Sequence, residues 1–489
     1  MKLLIISPNI KGFVGGVNRI QPPLGLGYLT SYLKNDHDVL VYDTAIENFR
    51  NITKVNGKLQ IIGDSDENIR SKIESFKPDA VCISVLFSNL MESAFNVSKL
   101  VKKCNKNIKV LIGGNHITNC IKDYQLGINN LSKIYDKNID FYFTGESEIN
   151  LSLFLKNFNK NVPGVCYFEG KNFIINKNNS FLNIENLKDP AWEYFSMEKY
   201  FDVGLFHSAQ SYSNRVLPVM ASRGCPEKCS FCSTPMTWGN RVRWKNVDSL
   251  SSEIKKFVQK YSIGEIQFQD DTITANLKYL KQLCVHLKEI NLPWCTPNGI
   301  KINYHQKNQY QMFKMMKDSN CYQVTFGCES GSQRVLDEII VKKTKVAAFK
   351  DSIQKAKDAG LFVHTFWIVG FPGETYDEIQ KTIQIASECE ADSYSLAIYN
   401  PLPGTPLYHK VIRENLWWNK NCNIENMTHR NSLIKVDGFT CDEQVENFVD
   451  KQSFYLNSLL RDKNKRRFDE VTKNRGVNLR SHDKFIKQT

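Results

Sequence analysis

No run of apolar residues in this chain reaches the ~18 that a membrane-spanning helix needs, so no spanning segment is expected. The opening stretch is apolar but is broken by Pro8 and Asn9. It lacks the length and the small-residue cleavage site of a secretory leader, and a first β-strand is expected there instead. Fourteen cysteines, spread from Cys82 to Cys441, have none of the dense, regular spacing of a secreted disulfide scaffold. Reduced thiols and a cytoplasmic location are the simpler expectation. There is no internal repeat and no long low-complexity segment. What is present is 489 residues, 42% hydrophobic and 24% charged, the balance of a soluble protein with more than one core.

The net charge is +13, and residues 461–489 alone hold ten Lys/Arg against four Asp/Glu. Such a tail can meet nucleic acid or an acidic peptide. A solvated terminal helix is the plainer reading, and no nucleic-acid partner is expected.

Short apolar runs over the first 150 residues, at Lys2–Ser7, Asp38–Asp43, Asp79–Val85, Ile108–Gly113 and Asp140–Phe143, read as buried parallel strands. Amphipathic segments lie between them, at Leu24–Lys34, Asp66–Phe76 and Leu90–Lys103. This alternation predicts a doubly wound sheet, flavodoxin-like or Rossmann-like, with its ligand at the carboxyl ends of the strands. The unusual residues fall at those ends: Lys11-Gly-Phe-Val-Gly-Gly-Val17, Ser84-Val-Leu-Phe-Ser88, Gly113-Gly-Asn-His116 and Thr144-Gly-Glu146. Each alone is ordinary turn chemistry; their coincidence on one edge points to a ligand.

Residues 151–214 have weak periodicity and read as a connecting segment. A second series of six strands and helices follows, with strands expected at Leu217–Ala221, Glu265–Phe268, Trp294–Pro297, Gln323–Phe326, Phe362–Ile368 and Ser393–Ile398. Six units predict a partial parallel (βα)6 barrel over 215–410. Residues 411–489 read as a helical extension with the basic tail. The fold class is therefore α/β, with divisions at 1–150, 151–214, 215–410 and 411–489.

Directly after the first strand of the second series comes Arg223-Gly-Cys225-Pro-Glu-Lys-Cys229-Ser-Phe-Cys232. Three thiolates at this spacing can bind three irons of a [4Fe–4S] cubane and leave the fourth iron open. A structural zinc site wants a fourth Cys or His at ordinary spacing, and the nearest, His207, lies eighteen residues before Cys225.

This loop resembles the signature of the radical S-adenosylmethionine superfamily, with Phe231 as its aromatic residue, and the resemblance extends over about 215–410. It implies that S-adenosylmethionine binds the open iron and is cleaved by one electron to a 5′-deoxyadenosyl radical. An electron donor such as flavodoxin or ferredoxin is implied with it. Supporting motifs are Gln269-Asp270-Asp271-Thr272, Gly327-Cys328-Glu329-Ser330-Gly331-Ser332 and Ile368-Val-Gly370-Phe-Pro-Gly-Glu374. Phe366 stands where the last of these has its first glycine in the family. By this resemblance Phe231, Asp270, Glu329, Ser330, Ile368 and Gly370 are the candidate contacts to S-adenosylmethionine. The plain alternatives are that Asp270 and Asp271 cap a helix, that Glu374 opens one, and that Cys328 is a core thiol.

Pro401-Leu-Pro-Gly-Thr-Pro-Leu-Tyr408 resembles the closing segment of cobalamin-associated members. Over residues 1–150, Pro22-Pro-Leu-Gly-Leu-Gly-Tyr28, Gly113-Gly-Asn-His116 and Thr144-Gly-Glu146 resemble their cobalamin-binding domain. Ser84, Gly113, Gly114, His116, Gly145 and Glu146 are the candidate cobalamin contacts. The Asp-x-His-x-x-Gly sequence that supplies cobalt with a histidine in many cobalamin proteins is absent, which implies base-off binding. His116 is expected to be a turn or tail contact.

The methylating members of this family pass a methyl group from methylcobalamin to a substrate radical. The leading expectation is thus a methyltransferase acting on an unactivated carbon of a small molecule or peptide. Alternatives are a non-methylating enzyme such as an anaerobic oxidative cyclase, a transfer-RNA methylthiotransferase and a non-catalytic cobalamin sensor. The methylthiotransferase would want a second cysteine triad, and Cys82, Cys104 and Cys120 are far apart in sequence.

Overall fold

The computed structural model describes residues 1–14, 18–178, 181–208, 210–419 and 422–458. The basic tail at 461–489 and Gly15, Gly16 and Val17 of the glycine-rich stretch lie outside the described residues.

Five parallel strands, Lys2–Ser7, Asp38–Asp43, Ala80–Ser84, Lys109–Gly113 and Phe141–Phe143, form the first sheet. Their spatial order, numbered along the chain, is 2-1-3-4-5. Both faces are covered, which is why the strands read as continuous apolar runs. Leu4, Ile6, Val81, Ile83, Val110 and Ile112 enter one core with Met91, Ala94 and Val97 of a flanking helix. Their neighbours Leu3, Ile5, Cys82 and Leu111 enter the opposite core with Leu26, Leu33 and Phe154. This is the two-residue alternation of a strand. The order reverses between Lys2–Ser7 and Ala80–Ser84, so the crevice that takes a ligand opens at their carboxyl ends.

Where a connecting segment was expected, the same sheet continues through an antiparallel hairpin, Val165–Glu169 and Asn172–Ile175. Beyond the buried Val165 and Cys166 its side chains are half-exposed or exposed, so no apolar period marks it. Further on, residues 205–208 and 210–213 run into the floor of the barrel. The Ser208 N–H donates to Gln267 Oε1 at 3.1 Å, Gln323 Nε2 donates to Ser208 Oγ at 3.1 Å, and the Tyr322 hydroxyl donates to the Gln210 carbonyl at 2.9 Å. The segment is a plug of polar contacts, and this explains its weak periodicity.

The barrel has six parallel strands in chain order: Val216–Val219, Glu265–Phe268, Trp294–Ile300, Cys321–Glu329, Phe362–Val369 and Ser393–Ile398. Among the described residues the first and last strands do not pair, so the barrel is open on one side. Phe366, Ile368, Ser393, Ser395 and Ala397 keep accessible surface between fully buried neighbours. They mark the side of the sheet that faces a lumen.

The C-terminal extension holds the helices Pro406–Glu414 and Asp442–Ser458. Residues 415–419 and 422–441 between them are mostly irregular, rich in Asn and Thr, whose side chains compete with helix for backbone groups. This stretch returns to the first domain, where Lys11 Nζ donates to Asn426 Oδ1 at 3.1 Å.

Two polar clamps join the domains. Arg223, 1% exposed, places Nη1 3.0 Å from Glu146 Oε1 and Nη2 2.7 Å from Glu148 Oε1, while Arg243 holds the second Glu146 oxygen at 2.8 Å. In the other, Asp123 accepts from the Gly404 N–H at 2.8 Å and from Asn130 at 2.6 Å, and lies 2.6 Å from His409 Nε2. The Pro401–Tyr408 motif is thus the segment that docks the barrel on the first domain. Arg223→Ala leaves two buried carboxylates short of a partner and is expected to lower stability by about 3–5 kcal/mol. Urea unfolding checks this, with the exposed pair Lys255–Glu289, broken by Lys255→Ala, as a control expected to change it by under about 1 kcal/mol.

Candidate active site

The carboxyl ends of the first sheet and the cysteine loop of the barrel are brought together by these clamps. Arg223 ends the short strand Ser222–Arg223, and Gly224 and Cys225 follow immediately. Gly224 has φ +101°, and a Cβ there would lie 2.5 Å from the Arg241 carbonyl oxygen, so this tight entry into the loop needs glycine. Within the loop, Cys232 N–H donates to the Cys229 carbonyl at 3.1 Å. Ser230 is pinned by donating to the Ile339 and Ile340 carbonyls, at 2.6 and 2.9 Å. Phe231 packs against Phe371, ring centroids 5.7 Å apart.

All three thiols are partly accessible. Burial pushes Cys225 up to about 12 and Cys229 up to about 11, the nearby thiols adding to this, while Lys342 pulls Cys229 and Cys232 the other way. Three partly accessible thiols on one loop, near enough to raise one another's pKa and needing a cation to ionise, suit a cubane with one open iron.

Glu329 ends its strand at φ +65°, a left-handed conformation that is uncommon for a residue with a Cβ. Its Oε1 lies 2.7 Å from Lys342 Nζ. Burial opposes the charge on Lys342, but Glu329 and Cys229 outweigh it and hold the ammonium above its ordinary pKa. Ile368 faces the lumen, and Gly370, at φ +83°, and Phe371 donate their N–H groups to Glu374 Oε2 at 2.7 and 3.1 Å. Burial raises Glu374 to about 8.

Two expected contacts are placed differently. Asp270 is 3% exposed, and both its oxygens are taken, by the Ala221 N–H at 3.0 Å and by the Ser222 hydroxyl. Burial lifts it to about 7. It props the backbone that leads into the cysteine loop. Ser330 is fully buried, its hydroxyl 3.2 Å from Thr382 Oγ1 and accepting from the Ser332 N–H at 3.1 Å. It fastens the Glu329 turn to the helix Tyr376–Glu388. Polar residues beside a ligand edge carry two demands, holding the turn and meeting the ligand, and a motif does not separate them.

On the first domain, Ser84 and Gly113 are paired neighbours at the strand ends. Gly114 has φ +111°, and a Cβ there would meet the Val85 carbonyl oxygen at 2.4 Å, so two edge loops touch only because it has none. Gly145 donates to Thr118 Oγ1 at 3.0 Å. Glu146 belongs to the clamp: both its oxygens are held by Arg223, Arg243 and the Leu182 N–H. His116 faces inward, 2% exposed, Nδ1 2.9 Å from Ser88 Oγ, and burial brings it down to about 4. The side chains that stand out at the switch point are Leu86 and Phe87, 47% and 55% exposed. An apolar, glycine-relieved edge, with His116 turned inward, fits a flat macrocycle. Lys342, Arg223 and Asp123 were not singled out by sequence reasoning; Arg223 and Asp123 act through partners far along the chain, and Lys342 reaches Glu329 across a loop, which no local pattern reports.

Comparison with known proteins agrees with this geometry. The family model of the radical SAM superfamily matches residues 219–386, and that of the B12 binding domain matches residues 10–130. Cytidylyl-2-hydroxyethylphosphonate methyltransferase of Streptomyces wedmorensis is 30% identical over 92% of this chain and 89% of its own. An uncharacterised methyltransferase of Pyrococcus horikoshii is 30% identical over 93% of both. The radical S-adenosylmethionine methyltransferase TsrM of Kitasatospora setae, solved with cobalamin and a [4Fe–4S] cluster, shares the fold (TM-score 0.63, 13% identity, 84% of this chain and 75% of that one). So does the cobalamin-dependent radical enzyme OxsB (TM-score 0.67, 13% identity, 94% and 66%). The chain belongs to the cobalamin-dependent radical S-adenosylmethionine enzymes. Its cofactors are a [4Fe–4S] cluster, S-adenosylmethionine and cobalamin; as a radical enzyme it acts on a small molecule and draws on a reductant. No helix among the described residues is long and apolar enough to cross a membrane.

A histidine neutral in the fold and free to protonate when unfolded destabilises the fold as pH falls from 6.5 toward its folded pKa. For His116 that window is 6.5 to about 4. His116→Asn is expected to lose stability less steeply than wild type across this window, and unfolding midpoints against pH check it.

Proposed function

We propose that this protein is a methyltransferase that methylates an unactivated carbon of its substrate inside the barrel lumen. The observation that carries the reading is the juxtaposition of the two ligand edges: the cysteine loop and the glycine-lined edge of the first sheet are held against each other by Arg223, Glu146 and Glu148. When bound, the cluster and S-adenosylmethionine supply a 5′-deoxyadenosyl radical, and cobalamin supplies a methyl carrier.

Cys225, Cys229 and Cys232 hold the cluster in this reading. Phe231, Glu329, Lys342, Ile368 and Gly370 surround S-adenosylmethionine, with the Lys342 ammonium suited to its carboxylate and Glu329 to its ammonium. Ser84, Gly113, Gly114 and Gly145 line the cobalamin edge, and Leu86 and Phe87 offer the metal no ligand. The half-exposed faces of Phe366, Ile368, Ser395 and Ala397 leave room for substrate, while the plug at 205–208 and 210–213 closes the floor against water. The division at 1–150, 151–214, 215–410 and 411–489 is kept with one amendment, the hairpin at 165–175 going with the first sheet. A cytoplasmic location and flavodoxin or ferredoxin as electron donor complete the proposal.

The oxidative cyclase reading keeps both cofactors, and such a cyclase of Cereibacter sphaeroides is 22% identical over 84% of this chain. Methyl-deuterated S-adenosylmethionine separates the two: label in the product supports methylation, and an unlabelled product contradicts it. The methylthiotransferase reading lacks its second triad, since Cys82 and Cys120 are buried in opposite cores of the first domain. Cys229→Ala is expected to abolish 5′-deoxyadenosine formation by protein reconstituted without oxygen. Unchanged formation contradicts the cluster assignment, and a wild type that forms none opens the sensor reading.

A further inference from the structure

Arg19 lies on the segment that leads from the strand Ile10–Phe13 into the helix Leu24–Leu33, and it is fixed against the barrel plug. Ile20 N–H donates to the Leu205 carbonyl at 2.8 Å, and Arg19 Nη1 donates to the His207 carbonyl. The guanidinium keeps accessible surface, yet so much protein surrounds it that burial brings it down to about 10. Among the described residues no carboxylate forms an ion pair with it. A cation in this position, close enough to the lumen imidazole of His364 to lower its pKa and without a counter-charge among the described residues, gains when an anion joins it.

Its surroundings are all donors or neutral groups. His207 Nδ1 lies 2.9 Å from Gln269 Oε1. His364 sits between two lumen hydroxyls, Ser393 Oγ at 2.6 Å and Ser395 Oγ at 3.0 Å. His429 stands edge-on to Phe13, centroids 5.0 Å apart. Burial first pushes all three imidazoles down, His364 to about 3 and His429 to about 4; the Arg19 charge follows for His364, comes after Arg430 for His429, and for His207 works against the Gln269 hydrogen bond. The carboxylate that reaches His429, Asp450, is paired with Arg430. Independently, Gln269 is only 8% exposed and its Nε2 has no acceptor. Gln269 follows Gln267 on the lumen side of its strand, one step above the plug contact that Gln267 makes.

We propose that Arg19, Gln269 and the Ser393 and Ser395 hydroxyls form the anchor for an anionic phosphoryl group, a phosphonate or phosphate ester, on the substrate. The inference rests on the radical methyltransferase reading, which puts the substrate in this lumen. A carboxylate presents two coplanar oxygens and is satisfied by the guanidinium fork alone. A phosphoryl group presents three, enough to meet the fork, the unpartnered amide and a hydroxyl together.

The test is calorimetric titration of the reconstituted holoenzyme with methylphosphonate, and with acetate for comparison. Wild type is expected to bind methylphosphonate more tightly than acetate, and Arg19→Gln to weaken methylphosphonate about tenfold to a hundredfold while leaving acetate the weaker ligand. Equal affinity in wild type and Arg19→Gln, or no saturable binding to wild type, overturns the anchor. Should Arg19→Gln fail to retain cluster and cobalamin absorbance, Gln269→Leu decides: a several-fold loss supports the anchor and unchanged affinity overturns it. Binding is measured without turnover, so the two readings fail separately. Protein that binds through Arg19 but forms no 5′-deoxyadenosine loses the radical reading only. Protein that forms it but binds without regard to Arg19 loses the anchor only.

Discussion

One buried guanidinium, that of Arg223, sets the geometry on which the chemistry depends. It closes the strand just before the first cluster cysteine and is gripped by two carboxylates of the other domain, all three side chains at most 7% exposed. A charge taken out of water is tolerated only when its partners are in place, so a small shift between the domains is opposed at the point where their ligand edges meet. Arg243 and Leu182 saturate the rest of Glu146, and Asp123 repeats the principle on the other side of the interface. The two cofactor sites are thereby one site.

Much of this was legible along the chain. The buried parallel strands announce themselves as continuous Val, Ile and Leu runs, because burial on both faces removes the polar alternation, and Lys2–Ser7, Asp38–Asp43, Glu265–Phe268 and Ser393–Ile398 lie at the bounds expected of them. The cysteine loop was legible because cluster ligation is local in sequence. The hairpin at 165–175 and the irregular stretch at 422–441 were not, since half-exposed edges and polar wraps carry no period. Asp270, Ser330 and Glu146 show the limit of motif reading. Each stands where a ligand contact is expected, and each also holds a neighbouring backbone or guanidinium. Arg19 and Lys342 show the converse, loop cations whose meaning comes from partners that only the fold supplies.

The lumen is dressed for a reactive intermediate. Its floor is tied by internal hydrogen bonds of Glu265, Gln267, Gln323 and Tyr322 rather than left to solvent, and its histidines are held neutral. Phe366 and Ile368 give its wall no acidic proton to lose. The protein's part is to exclude water and fix the distance between cofactors that carry the hard chemistry. Among the described residues the first and last barrel strands do not pair, which leaves the first domain and residues 422–441 to complete the enclosure.

The central claim is that the two cofactors share one lumen, and the most direct measurement is electron paramagnetic resonance of holoenzyme holding cob(II)alamin and the one-electron-reduced cluster together. The account predicts a spectrum broadened or split by coupling between the two spins, absent when either cofactor is left out. A spectrum that is the plain sum of the two separate signals would place the cofactors far apart and contradict it.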